Sequence, residues 1–258
     1  YPTLPNIAHL EKYYPKQPLQ IYSKEGVLIA EFGEERRDFI AISETPQQMI
    51  NAILSIEDRR FFEHPGIDFI GITRAALRNI TGKSHEGAST ITMQVARNFF
   101  LTSERTLKRK INEILLAIKI ERILSKEEIL ELYINQIYLG QRSFGFAAAA
   151  NTYYGKNLDQ LNLGETALLA GLPKAPSRYN PLVRPHLAIK RQQDVLNSML
   201  RHGYIDKPTY ILALEDSLDL KDKFMKTDLK ANYVAEMVRQ TLFEEFGDKI
   251  YTSGLKVY

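Results

Sequence analysis

The chain of 258 residues has no cysteine, which excludes disulfides, thiolate nucleophiles and cysteine-ligated metals. It has no run of about eighteen consecutive apolar residues, so no segment is suited to cross a bilayer as a helix. The net charge is only +3, too small an excess to indicate nucleic acid, although basic residues cluster between 97 and 122. No internal repeat is visible, and no flexible linker interrupts residues 46–203. The first residue is Tyr1 rather than methionine, from which a processed or truncated piece is expected, with any membrane anchor outside it. Freedom from cysteine suits an oxidising compartment such as the periplasm.

What is present is ordinary for a folded soluble protein: 44% hydrophobic and 25% charged residues. The length allows one large domain, or a domain with a smaller lobe. Two short apolar runs around Ser-Lys-Glu-Gly at 19–32 predict a β-hairpin, and residues 254–258 predict one more strand. Helical periodicity dominates from Thr45 onward. Pro46 opens a helix to about Ile56, and residues 67–80 form a basic amphipathic helix that fits either an anionic membrane surface or a core-facing role. Ser103 is the expected N-cap of a helix through Leu124, with Leu107, Ile111, Ile114, Leu115 and Ile118 as its buried stripe. Arg109, Lys110 and Glu113 then fall on the opposite face, where a solvated ion-paired surface is expected. Ser125 and Glu128 make a capping box for the next helix, ending near Gly140. Further helices are expected at 163–172, 186–202, 208–216 and 229–246. The organisation predicted is a lead-in and hairpin at 1–44, a main domain at 45–220 and a C-terminal helix at 221–258, with the break in the charged stretch 221–230.

The chemistry concentrates at 56–66, where Glu57, Asp58, Glu63, Arg59, Arg60 and His64 stand among Phe61 and Phe62 before Pro65-Gly66. A carboxylate beside buried aromatics can be raised towards neutrality, as a general acid or base requires. An ion-paired helix end followed by a turn fits the same residues. Residues 87–94 join small residues and hydroxyls, which permit close backbone approach and offer donors to a polar ligand.

Five segments in order resemble one family. They are Glu57-Asp58-Arg59-x-Phe61-x-x-His64-x-Gly66; Gly87-Ala88-Ser89-Thr90-Ile91-Thr92-Met93-Gln94; and Arg109 to Glu113, continued by Lys126-x-x-Ile129-Leu130-Glu131-x-Tyr133-Ile134-Asn135. The fourth runs from Gly140 to Lys156, and the fifth from Glu165 to Pro176. Together they resemble the bacterial peptidoglycan glycosyltransferases, the family-51 domain of class A penicillin-binding proteins. The resemblance covers about residues 19–203. Ala88 and Met93 depart from the glycine and glutamine usual there, and Arg97 stands where lysine is common.

The resemblance implies a mainly α fold, a lysozyme-like helical head with a small membrane-associated jaw lobe at about 67–103 and a short N-terminal β-hairpin. It implies polymerisation of lipid II into β-1,4 glycan with inversion and release of undecaprenyl pyrophosphate. Glu57 is then the base and Asp58 its support. Arg97, Arg105, Arg109 and Lys110 are the cations for pyrophosphate, and Ser89, Thr90 and Gln94 contact sugar or phosphate oxygens. Glu113 helps hold the leaving phosphate or a divalent cation, Mg or Mn; no organic cofactor is implied. Phe61, His64, Glu131, Tyr133 and Asn135 are given structural roles. The implied partners are lipid II, the nascent strand, the membrane surface at the extracytoplasmic face of the inner membrane, moenomycin-type inhibitors and cell-wall or division proteins, with no nucleic acid. Ser253-Gly-Leu-Lys256 matches the Ser-x-x-Lys pattern of transpeptidases by chance, and penicillin acylation is not predicted; that domain is expected beyond this chain. Two competing readings are a lysozyme-like hydrolase using Glu57 as general acid, and a silent membrane scaffold binding lipid-linked glycan. The cationic cluster and the paired carboxylates argue against them.

Overall fold

The structure is a computed structural model that describes residues 5, 7, 10, 17–33, 35–80, 89–101, 106–216, 218, 220 and 232–258, with the side chains of 75–80 and 232 excepted. Gly87, Ala88, Ser103, Arg105 and the 221–230 stretch therefore lie outside the described residues.

The protein is mainly helical. Alternating burial of Leu19 and Ile21 makes β1 (Leu19–Tyr22), which pairs antiparallel with β2 (Leu28–Phe32), Leu19 opposite Phe32. Gly26 turns the hairpin at φ +81°. The C-terminal β5 (Lys256–Val257) joins parallel to β1, so the order is β2-β1-β5. Helix α10 (Asn232–Phe246) covers this sheet, and Leu19, Ile21, Ala235 and Ile250 form its small core.

The head has its own core. α1 (Gln47–Glu57) packs on α7 (Leu163–Gly171) and α8 (Pro185–Arg201), while α3 (Ile91–Phe100) packs between α4 (Leu107–Ile120) and α5 (Lys126–Gln136). α6 (Phe146–Tyr154) follows Gly145, whose φ of +88° and 2.9 Å Cβ approach to the Asn135 carbonyl leave no room for a side chain. α2 (Phe69–Ile80) and α9 (Lys207–Glu215) complete the helices. Short parallel strands β3 (Arg36–Arg37) and β4 (Ser143–Phe144) link the N-terminal segment to the head. Asn135 adds to that link, accepting from the Ile40 amide and donating to its carbonyl, as does Glu131, which accepts from Ile42.

Expectations for α4 and α5 need correction. α4 begins at Leu107 with Thr106 as N-cap, its hydroxyl accepting from the Arg109 amide, and ends at Ile120. The face of α4 is also reversed. Leu107 and Ile111 are 85% and 58% exposed, whereas Glu113, Leu116, Ala117 and Ile120 are buried. Two cations neutralise Glu113, so its burial is compensated, while Ile114, Leu115 and Ile118 of the expected stripe are half-buried. The Ser125–Glu128 capping box forms, and α5 stops at Gln136 rather than near Gly140.

Candidate active site

Glu57 is the last residue of α1, and burial of Met49, Ala52, Ile53 and Leu54 fixes where that helix end points. Its side chain is 12% exposed. Gln94 Nε2 on α3 donates to Oε2 across 2.8 Å, and Arg191 Nη2 on α8 stands 3.8 Å from Oε1. Burial pushes the Glu57 carboxyl above the ordinary carboxylate range; the Gln94 bond and the charges of Arg191, Arg97 and Lys174 oppose that without cancelling it. The result is a desolvated carboxylate with access to the surface, suited to accept a proton.

The backbone leaves the helix at Asp58, whose φ of −159° turns its side chain to other partners. One carboxylate oxygen accepts from the Ile91 amide across 3.0 Å, at the N-terminus of α3. His64 Nε2 donates to the same carboxylate at 2.9 and 3.1 Å. Asp58 therefore ties the end of α1 to α3, the helix that carries Gln94. Phe61 packs fully buried beneath this turn, with Lys126 Nζ 4.5 Å above its ring.

Thr90 caps α3. Its hydroxyl accepts from the Met93 amide and donates to the Gly66 carbonyl across 2.6 Å, and the residue is 3% exposed. The hydroxyl proton and one lone pair are thus engaged within the fold. Gln94 spends one of its two amide N–H donors on Glu57.

The second half of the site lies on α4. Arg109 Nη1 donates to one Glu113 oxygen at 2.7 Å and Lys110 Nζ to the other at 2.6 Å, while Lys110 also donates to Ser89 Oγ at 2.9 Å. Glu113 is sealed from solvent, but Lys110 keeps 37% of its surface. Two cations on one carboxylate leave a positive charge beside a hydroxyl, a pattern suited to phosphate oxygens. Arg97 is half-buried one helical turn from Gln94, close enough to act on the charge of Glu57. α3 and its lead-in thus border both halves: Ser89, just before the helix, meets Lys110, and Gln94 within it meets Glu57.

Two contributors were missed by sequence reasoning. Arg191 is 6% exposed, and its spacing from Ala188, Gln192 and Val195, all buried, marks it as an arginine on a core-facing stripe. Lys174 sits in the turn after α7, at the end of the fifth motif. Tyr133, given a structural role, is fully buried beside Phe146, and its hydroxyl has no hydrogen-bond partner among the described residues. Burial and then the charge of Glu57 hold its phenol well above the ordinary value.

The helical head thus carries a half-sealed carboxylate and, apart from it, a cluster of two cations on a buried glutamate. The chain matches the transglycosylase family over residues 25–200, and it belongs to that family. It is 52% identical over 259 aligned residues to penicillin-binding protein 1A of Neisseria meningitidis, covering all of this chain and 32% of that protein. To penicillin-binding protein 1A of Pseudomonas aeruginosa it is 49% identical over 257 residues, 99% of this chain and 31% of that one. A crystal structure of penicillin-binding protein 1A from Haemophilus influenzae superposes with a TM-score of 0.55 at 34% identity, over 95% of this chain and 27% of that one. The chain spans about a third of the length of the curated relatives it matches. These findings bear out the family resemblance read from the five motifs.

The family uses divalent cations. Among the described residues, however, no group of three or more His, Asp or Glu side chains could hold one. Both oxygens of Glu113 are already taken by Arg109 and Lys110. Among the described side chains, Glu113 is therefore placed to hold these two cations rather than to act as one of several ligands to a metal. Among the described residues, no helix is long and apolar enough to cross a membrane.

Proposed function

We propose that this domain polymerises lipid II, with Glu57 as the general base and the Arg109–Lys110–Glu113 cluster as the pyrophosphate site. The 4-hydroxyl of one disaccharide gives its proton to Glu57 as its oxygen attacks the anomeric carbon of the lipid-linked strand. The bond from that carbon to the pyrophosphate oxygen breaks, the configuration inverts, and the electron pair leaves with undecaprenyl pyrophosphate. Negative charge gathers on that leaving group, and Lys110, Arg109 and Arg97 are the cations that meet it. Glu113 fixes two of them in place before the charge develops, so little reorganisation is needed.

The observation that carries this reading is the division of labour along α3, with a proton acceptor held by Gln94 and a partly exposed cation held by Ser89. Exposed Phe69, Ile70, Leu107 and Ile111 support contact with a membrane surface, where a lipid-linked substrate would be presented at the extracytoplasmic face. Moenomycin-type phosphoglycolipids would compete for the same cations.

The test is incubation of the purified domain with lipid II in detergent, followed by sizing of the glycan. Growing strands are expected. Cleavage of preformed glycan without growth would give the site to a hydrolase, and binding without either reaction would give it to a scaffold.

A further inference from the structure

Charged and polar groups reach Glu57 from four elements. α3 supplies Gln94 and Arg97, α5 supplies Tyr133, the turn after α7 supplies Lys174, and α8 supplies Arg191. Lys174 is exposed and Arg97 half-buried, whereas Arg191 is buried and tied at several points. Its Nε donates to the Gly171 carbonyl across 3.1 Å, its guanidinium carbon stands 5.9 Å from the centre of the Tyr179 ring, and Nη1 is 3.8 Å from Asp194. Gly171 leaves room for this passage, since a Cβ there would lie 2.8 Å from Arg191 Cγ. A guanidinium fixed this way loses little freedom on meeting a carboxylate.

We propose that Arg191 is a positioning residue for glycosyl transfer, holding the Oε1 edge of Glu57 from α8 while Gln94 holds Oε2 from α3. This rests on the proposed role of Glu57. A base that must be desolvated to work tends to keep its proton, and a fixed opposite charge 3.8 Å away counters that tendency. Asp194 on α8 and Asp58 beside Glu57 are the nearby acidic groups; Asp194 pairs with Arg191, and Asp58 is occupied by His64 and Ile91.

Two measurements test it. In Arg191→Gln, which keeps a donor for Gly171 but loses the charge, the acidic limb of the kcat/KM profile should move up by about one pH unit. Activity near pH 6 should then fall about tenfold further than activity near pH 8.5, with Arg191→Lys keeping its limb near the wild-type position. An equal loss at every pH, with the limb unmoved, would assign Arg191 to the fold alone.

The second measurement needs neither an Arg191 variant nor turnover. The ¹⁵N resonance of Arg191 Nε in the wild-type domain should shift with pH as Glu57 titrates, and should not shift over that range in Glu57→Gln. A wild-type resonance that stays still would overturn the contact. If lipid II were not polymerised at all, the proposed function would fall while this resonance still reported on the pair.

Discussion

Gln94 donates to Glu57 across 2.8 Å and joins side chains 37 residues apart in the chain. A hydrogen bond to the ionised form favours that form. Gln94→Ala should therefore raise the pKa of Glu57 beyond what burial already does. The base is then protonated over more of the acidic range, so the loss is greatest at low pH and shrinks as pH rises through the folded-state value. A charge-assisted bond contributes about 1.5–3 kcal/mol, and a pH profile of polymerisation that kept its shape would contradict this account.

Glu113→Gln should act through its cations. Arg109 and Lys110 lose their shared counter-charge while staying in place, which costs about 2 kcal/mol for partly buried groups. The melting temperature should fall by roughly 4–8 °C for a domain of this size. Inorganic phosphate should recover more of that loss in the variant than it adds to the wild type, because the pocket has become more positive. Equal phosphate effects in the two proteins would remove the cluster as an anion site.

Thr90 and Asp58 predict structural rather than ligand effects. Thr90→Val removes a cap and should cost about 1 kcal/mol of stability, with little change in KM. Asp58→Asn should loosen α3 and lower kcat through Gln94. A large rise in KM with unchanged stability, for either variant, would restore a direct substrate contact.

The reversed face of α4 is tested by contrast between its exposed and buried apolar residues. Leu107 and Ile111 face outward, whereas Leu116 is fully buried. Ile111→Ser and Leu107→Ser should change stability by less than about 0.5 kcal/mol, whereas Leu116→Ala should cost about 2–5 kcal/mol. Chemical denaturation of the three variants decides it.

Much of this was legible locally. The hairpin shows in its two apolar runs, the capping box in Ser125 and Glu128, and the family in five ordered motifs. What was hidden depended on contacts between distant segments. β3 and β4 are two residues each and exist only because Arg36–Arg37 meets Ser143–Phe144. The apolar stripe of α4 misled because Glu113, compensated by Arg109 and Lys110, takes a buried position on the helix. The bond from the Thr90 hydroxyl to the Gly66 carbonyl likewise joins segments 24 residues apart. Arg191 carried a signal in its spacing on α8, but its partner Glu57 lies on a different helix far along the chain.

The central claim is that Glu57 takes the proton of the attacking hydroxyl. Its most direct test is the single-turnover rate of lipid II coupling by Glu57→Gln, with circular dichroism confirming an intact fold. Glutamine preserves the size of the side chain and can still meet Gln94, but it cannot act as the base. The account predicts a loss of about 10²–10⁴-fold, with substrate binding retained. Coupling at the wild-type rate in the folded variant would contradict it.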